Sequence, residues 1–192
     1  MSGLIGTRSF KLLAILQSNI IQMNQTEYST NPLFIDKTQA TSLKDDGTVF
    51  RVVEKNCWCP LARIAECDKS GVTMQVLSTV PGIGFNYGKP VEQAIVVARF
   101  LNDHIAEVVR QHPDRFMGLG TVPLQEASVA IEEMKRCMAE LGLAGIQIGS
   151  HVDGMTLDDP FFDPFWKVVE ELQCPVFVHP WDMGNEPRLQ KY

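Results

Sequence analysis

Cys174-Pro-Val-Phe-Val-His-Pro-Trp-Asp-Met183 is the stretch on which the fold turns. Val176-Phe177-Val178 follows the helix-breaking Pro175, and so short an apolar run between prolines reads as a buried parallel strand. His179 ends the strand, Pro180 stops the pairing, and Trp181 and Asp182 come next. In a chain of strand–helix repeats this puts an imidazole and a carboxylate at the carboxyl end of a strand, where such folds build their sites. His179 is therefore the first candidate for a metal ligand. The competing reading is a hydrogen-bonded structural histidine, because metal sites need several ligands and this stretch offers one strong one.

Working outward, the punctuation is regular. Asp163-Pro164 marks a helix start as N-cap and first helical residue, with Phe165, Val169 and Leu172 facing the core. Ala144 to Ile148 reads as a strand that ends at Gly149-Ser150-His151. Residues 126–141 read as a helix with Ile131, Met134, Met138 and Leu141 inward, closed by Gly142. Phe116 to Val122 is another strand. Its Gly118-Leu-Gly120 invites a dinucleotide reading, but Pro123 stands where the third glycine would be, so the phosphate-cradling turn is absent. Pro90 opens a long helix to about Arg110, with Ala94, Ala98, Leu101, Ile105 and Val108 at helical spacing. A Gly- and Pro-rich loop, 81–90, precedes it. Val72 to Leu77 is a strand ending at Ser78-Thr79, and Pro60 and Gly71 bracket a helix whose apolar face is Leu61, Ile64 and Ala65.

Strands beginning near 72, 116, 144 and 176 thus alternate with helices, and the fold class is α/β with a parallel sheet. A flavodoxin-like doubly wound sheet and a (β/α)8 barrel both fit. Thr79, Thr121, His151 and His179 fall at the same edge of the sheet, as on the catalytic face of a barrel. A whole barrel takes about 250 residues, so 192 residues imply a four-stranded sheet or part of a barrel.

Upstream the pattern weakens. Residues 17–42 are rich in Gln, Asn, Ser and Thr, and Leu12 to Ile21 suggests one amphipathic helix. Asp45-Asp46-Gly47 is a turn signal leading into a strand, Val49-Phe-Arg-Val-Val53, with Arg51 at its middle. Composition adds exclusions. A net charge of −6 with interspersed signs and no basic stripe speaks against nucleic acid. The apolar run at 12–21 is interrupted by Gln17, Ser18 and Asn19 and is too short for a membrane span, and residues 1–26 carry too few arginines for a transit peptide. Five cysteines, an odd number, suggest reduced thiols in the cytosol. Cys57-Trp-Cys59 has no second cysteine pair to complete a soft metal site and reads as structural.

Six motifs in order carry a resemblance: Lys44-Asp-Asp-Gly-Thr-Val-Phe-Arg-Val-Val53, Asn56-Cys-Trp58, Leu77-Ser-Thr-Val-Pro81, Arg115-Phe-Met-Gly-Leu-Gly-Thr-Val-Pro123, Gly145-Ile-Gln-Ile-Gly149 and Phe177-Val-His-Pro-Trp-Asp-Met183. Over about Leu43 to Tyr192 the chain resembles the 2-amino-3-carboxymuconate-6-semialdehyde decarboxylases, a metal-dependent family of the amidohydrolase superfamily. The resemblance implies a (β/α)8 barrel of the metal-dependent hydrolase type, with about strands 2 to 5 present in residues 43–192 and a divergent, poorly structured segment over 1–42. It implies one catalytic zinc and a cytosolic, non-oxidative decarboxylation in the kynurenine branch of tryptophan breakdown that limits quinolinate formation. The substrate is a small carboxylate, and the complete family form is a homodimer.

Among the residues, the resemblance makes His179, at the end of the fifth barrel strand, a zinc ligand. It makes Arg51 the grip on a substrate carboxylate, which a guanidinium fork matches in a bidentate way. His151, Trp181 and Asp182 line the site, and Asp182 is placed to orient an imidazole. There are departures. The family opens with a His-x-His pair, whereas the first histidine here is His104; His104 and His112 read as solvent-facing. The family's catalytic histidine and its remaining zinc-ligand aspartate fall beyond Tyr192, so no catalytic residue is assigned. The alternatives are a non-catalytic fragment that associates with a full-length subunit, and a related barrel decarboxylase or hydrolase acting on another carboxylic acid.

Overall fold

The computed structural model describes residues 10–14, 34–35, 39–43 and 49–181, with backbone alone for 10–14, 34–35, 39–43, Phe50 and Arg51. The chain forms two compact units: Met1–Ser78 with Glu107–Met117, and Thr79–Ala106 with Gly118–Tyr192.

In the first unit, β1 (Phe10–Ala14) lies parallel to β5 (Met74–Ser78), Leu12 opposite Val76. The helix expected over Leu12 to Ile21 is thus replaced at its start by a strand, and residues 15–21 lie outside the described residues. An apolar run this short satisfies either period, and a neighbouring strand with open hydrogen-bonding groups decides it. β2 (Phe34–Ile35), β3 (Gln39–Leu43) and β4 (Val49–Glu54) form a separate antiparallel sheet, with an irregular register at Ser42/Leu43. The Asp45-Asp46-Gly47 turn lies outside the described residues, between β3 and β4. Helix α1 (Pro60–Lys69) starts on Pro60 and ends before Gly71, whose φ of +67° suits glycine. Its inward residues are Arg63 and Cys67, four apart, whereas the predicted Leu61 points to solvent.

At the end of this unit the Gln75 amide donates to the carbonyl of Arg115, just before β6 (Phe116–Thr121). In the second unit β6 pairs in parallel with β7 (Gly145–Gly149), and β7 with β10 (Val176–His179). The parallel order is β1-β5-β6-β7-β10, which follows the chain without a reversal. A doubly wound sheet has a switch point where the order turns back; a barrel does not. The fold is therefore part of a (β/α)8 barrel. The connecting helices are the single turn α2 (Pro81–Gly84), α3 (Val91–Gln111), α4 (Ala127–Ala139) and α5 (Asp163–Glu171). No described helix is long and apolar enough to cross a membrane.

Several local readings change. The predicted inner residues of α3 are all buried. On α4 only Met134 of the expected four is fully buried, joined by Ala130, Cys137 and the carboxylate of Glu133. Asp163 is not a cap: Asp159 accepts the Phe161 amide at 2.9 Å and opens the short turn before α5. A hairpin of β8 (His151–Val152) and β9 (Met155–Thr156) turns at Asp153-Gly154, both at positive φ. β10 is parallel as expected but half-buried rather than buried, with β7 as its one partner among the described residues.

Candidate functional site at the carboxyl ends of the strands

Side chains alternate across a strand, so register decides what shares a face. Ile146 and Ile148 of β7 pack into the core with Ala130 and Met134 of α4 and with Phe165 of α5. Gln147 and Gly149 therefore face the other way. The pairing sets Thr121 beside Gln147, Gln147 beside Phe177, and Gly149 beside His179. Thr121, Gln147, Phe177 and His179 thus share one face near the strand ends. Thr79, immediately after β5, belongs to the same rim: its carbonyl accepts Gln147 Nε2 at 2.9 Å. The Thr121 hydroxyl donates to the Gly84 carbonyl at 2.9 Å, which ties α2 down on the rim. Two buried polar atoms here have no hydrogen-bond partner among the described residues, Thr79 Oγ1 and Gln147 Oε1.

The loop after β5 supplies two aromatic residues that sequence reasoning missed. Phe85 and Tyr87 stack with centroids 5.6 Å apart, and both are buried. Phe85 presents its ring to His179 at 6.4 Å and to Trp181 at 5.6 Å, both edge-on. Phe177 stands edge-on to the His179 ring at 6.1 Å. The Gly149 amide donates to the Tyr87 hydroxyl at 2.9 Å, and burial pushes the Tyr87 phenol well above its ordinary pKa, so it stays neutral. Gly149 leaves the room: a Cβ there would sit 3.0 Å from Tyr87 Cε2 and 3.3 Å from Trp181 Cβ. The signal available in the sequence was a pair of aromatics in a Gly- and Pro-rich loop directly after a strand end.

His179 Nδ1 lies 2.7 Å from the Pro180 carbonyl. A carbonyl only accepts, so Nδ1 carries a proton, which in the neutral ring leaves the lone pair on Nε2, the tautomer a metal-ligating imidazole needs. The other predicted residues fall as follows. His151 begins β8, with the Ser150 hydroxyl 3.3 Å from its Nδ1. The same hydroxyl accepts the Trp181 amide at 3.1 Å, linking the segments that follow β7 and β10. Arg51 lies in β4 opposite Ser42, but its side chain is outside the described residues, as is all of Asp182. His112, expected to face solvent, packs edge-on against Phe116 at 6.0 Å. Among the described residues no three His, Cys, Asp or Glu side chains come together as a metal site. They offer one candidate ligand, His179, where a catalytic zinc takes three, so they do not by themselves fit the group.

Behind the rim, a carboxylate at full burial fixes the end of β6. Glu133 accepts from Arg136 Nε at 3.0 Å and Nη2 at 2.8 Å, from Arg99 at 3.2 Å and from Asn102 Nδ2 at 2.8 Å. Asn102 in turn clamps Thr121 in both directions: Nδ2 donates to the Thr121 carbonyl at 2.9 Å, and Oδ1 accepts the Thr121 amide at 2.8 Å.

The amidohydrolase family model matches residues 32–191. The 2-amino-3-carboxymuconate-6-semialdehyde decarboxylase of Dictyostelium discoideum is 48% identical over 147 residues, covering 77% of this chain and 41% of that protein. The protein of the same name from Caenorhabditis elegans is 33% identical, covering 79% of this chain and 50% of its own length. The chain thus spans half or less of these curated relatives. A 5-carboxyvanillate decarboxylase from Novosphingobium aromaticivorans, solved with manganese, superposes with a TM-score of 0.62 at 33% identity, over 71% of this chain and 40% of that one. A match running from before β2 to past His179, over strands in barrel order, makes the chain a member of the amidohydrolase family.

Proposed function

We propose that this chain carries the early strands of a divalent-metal-dependent, non-oxidative decarboxylase. Its substrate on this reading is 2-amino-3-carboxymuconate 6-semialdehyde, in tryptophan catabolism upstream of quinolinate. The observation that carries the reading is His179, with Nδ1–H spent on the Pro180 carbonyl and the Nε2 lone pair of the neutral ring open at a strand end beside Phe85 and Phe177. The similarity to decarboxylases of that substrate supports it, and the manganese of the structural neighbour supports a divalent metal. Zinc is the metal of first choice, since a neutral imidazole suits it. Arg51 is assigned to the substrate carboxylate, and His151, Trp181 and Asp182 to the site wall. Five free cysteines are consistent with a cytosolic protein, and we take the active form to be a homodimer.

The chain's own residues hold and shape. Tyr87 accepts the Gly149 amide beneath Phe85, and Phe85 and Phe177 stand edge-on to the half-buried His179 ring. The test is release of carbon dioxide from the aminocarboxymuconate semialdehyde by the purified chain, with zinc or manganese added after chelation, beside the bound-metal content. We expect metal-dependent release, with His179→Ala losing both the metal and at least a hundredfold in rate, on the order seen when a metal site is disturbed. Intact His179 with neither metal nor product would overturn the reading. A second reading, a non-catalytic piece that associates with a longer subunit, is favoured by β10, whose far edge is unpaired among the described residues and whose Val178 is 43% exposed.

A further inference from the structure

The first unit holds a cavity of about 200 Å³ bordered by Asn56, Arg63, Glu66, Cys67, Ser70 and Gln75. None of these belongs to the strand-end rim. Arg63 sits on the inner face of α1 and is 3% exposed. A guanidinium out of water calls for an anionic partner. Instead, Nη1 reaches Gln75 Oε1 at a long 3.5 Å, and Nη2 has no hydrogen-bond partner among the described residues. Burial holds the Arg63 pKa below its ordinary value, with Cys57, Cys67 and Glu66 acting in the opposite direction. Arginine stays charged in proteins even so. A cationic fork short of acceptors therefore lines an open cavity.

Glu66 limits what enters. It borders the same cavity, and one of its oxygens accepts Asn56 Nδ2 at 2.7 Å. A single cation with an acid beside it suits an anion of one charge; a doubly charged oxyanion would repel Glu66 more than Arg63 could offset. The guanidinium fork matches the two oxygens of a carboxylate. We propose that this cavity is a binding site for a small monocarboxylate, its two oxygens on Arg63 and its remaining contacts on Ser70 and Gln75.

The test titrates the chain with acetate and, separately, with inorganic phosphate at fixed ionic strength. It reads the thermal midpoint and the Arg63 side-chain Nε–H resonance. Acetate is expected to raise the midpoint to a plateau and to move the Arg63 resonance along the same curve, while phosphate does neither. Arg63→Lys keeps a charge but loses the fork, and is expected to weaken acetate about tenfold. Glu66→Gln changes an exposed residue and so keeps the test open if Arg63 variants fail to fold. It is expected to tighten acetate about twofold to fivefold, the worth of an exposed charge pair, and to admit phosphate. A midpoint that rises without saturation, an unmoved Arg63 resonance, or a Glu66→Gln protein that matches the parent toward both anions would overturn the proposal.

Discussion

At the scale of single residues, the rim depends on groups whose importance lies in one bond each. Asn102 is the clearest. It is buried on α3, and its amide both donates to and accepts from the Thr121 backbone, so it copies a strand partner at the place where β6 ends. It also supplies one of the donors that make a buried Glu133 tolerable. Asn102→Ala leaves the Thr121 amide, its carbonyl and one carboxylate oxygen short of partners inside the protein. At about 1–3 kcal/mol for each orphaned group, partly relieved by water, a loss of about 2–4 kcal/mol is expected in urea unfolding. Glu133 shows why such residues escape a reading by periodicity: a glutamate in a helix is assigned to the solvent face, and only the four donors from Arg99, Asn102 and Arg136 reverse that.

At the scale of elements, the docking of β10 on β7 controls where His179 stands. Gly145 opens β7 with the Pro175 carbonyl where its Cβ would be, and the Ile146 amide donates to that same carbonyl at 3.0 Å. No side chain fits without moving backbone. Gly145→Ala is therefore expected to cost about 1–3 kcal/mol, the usual range for overpacking. Amide hydrogen exchange should speed up most over Val176–His179, while α3 keeps its protection. Equal loosening of both would show that β10 is not docked in this way. Strands and helices of the repeat were legible because prolines and glycines bracket them. The β8–β9 hairpin was announced by Asp153-Gly154, a turn pair that passes unnoticed in a fold read as pure alternation.

At the scale of the whole molecule, buried acids set the response to pH. Burial, and for Cys137 the nearby Glu133 as well, raises the thiols of Cys137 and Cys174, and burial raises the phenol of Tyr87. In the unfolded chain these groups ionise near 9.0 and 10.0, well before they can in the folded one. Above those values the unfolded state holds fewer protons and gains, so the stability present at neutral pH drains away as pH rises. The urea midpoint is expected to hold to about pH 8. Beyond pH 9 the unfolding free energy should fall by up to about 1.4 kcal/mol per pH unit for each fully buried group. Cys137→Ala lowers the plateau through its cavity but should flatten that slope, and an unchanged slope would remove Cys137 from the account.

The amino-acid sequence alone determined the class of fold, the parallel βα repeat and the position of His179 at a strand end. Each of these follows from local chemistry: proline and glycine punctuation, apolar period, strand length. The tertiary structure decided the rest. It chose a barrel over a doubly wound sheet, because strand order is a property of pairing between distant segments. It placed Phe85 and Tyr87 against His179 and Gly149, across some 60 to 90 residues of chain that no periodicity spans. It turned Arg63 and Glu133 inward on helices whose patterns put them outside, because the cost of burying a charge is set by the partners the fold brings to it.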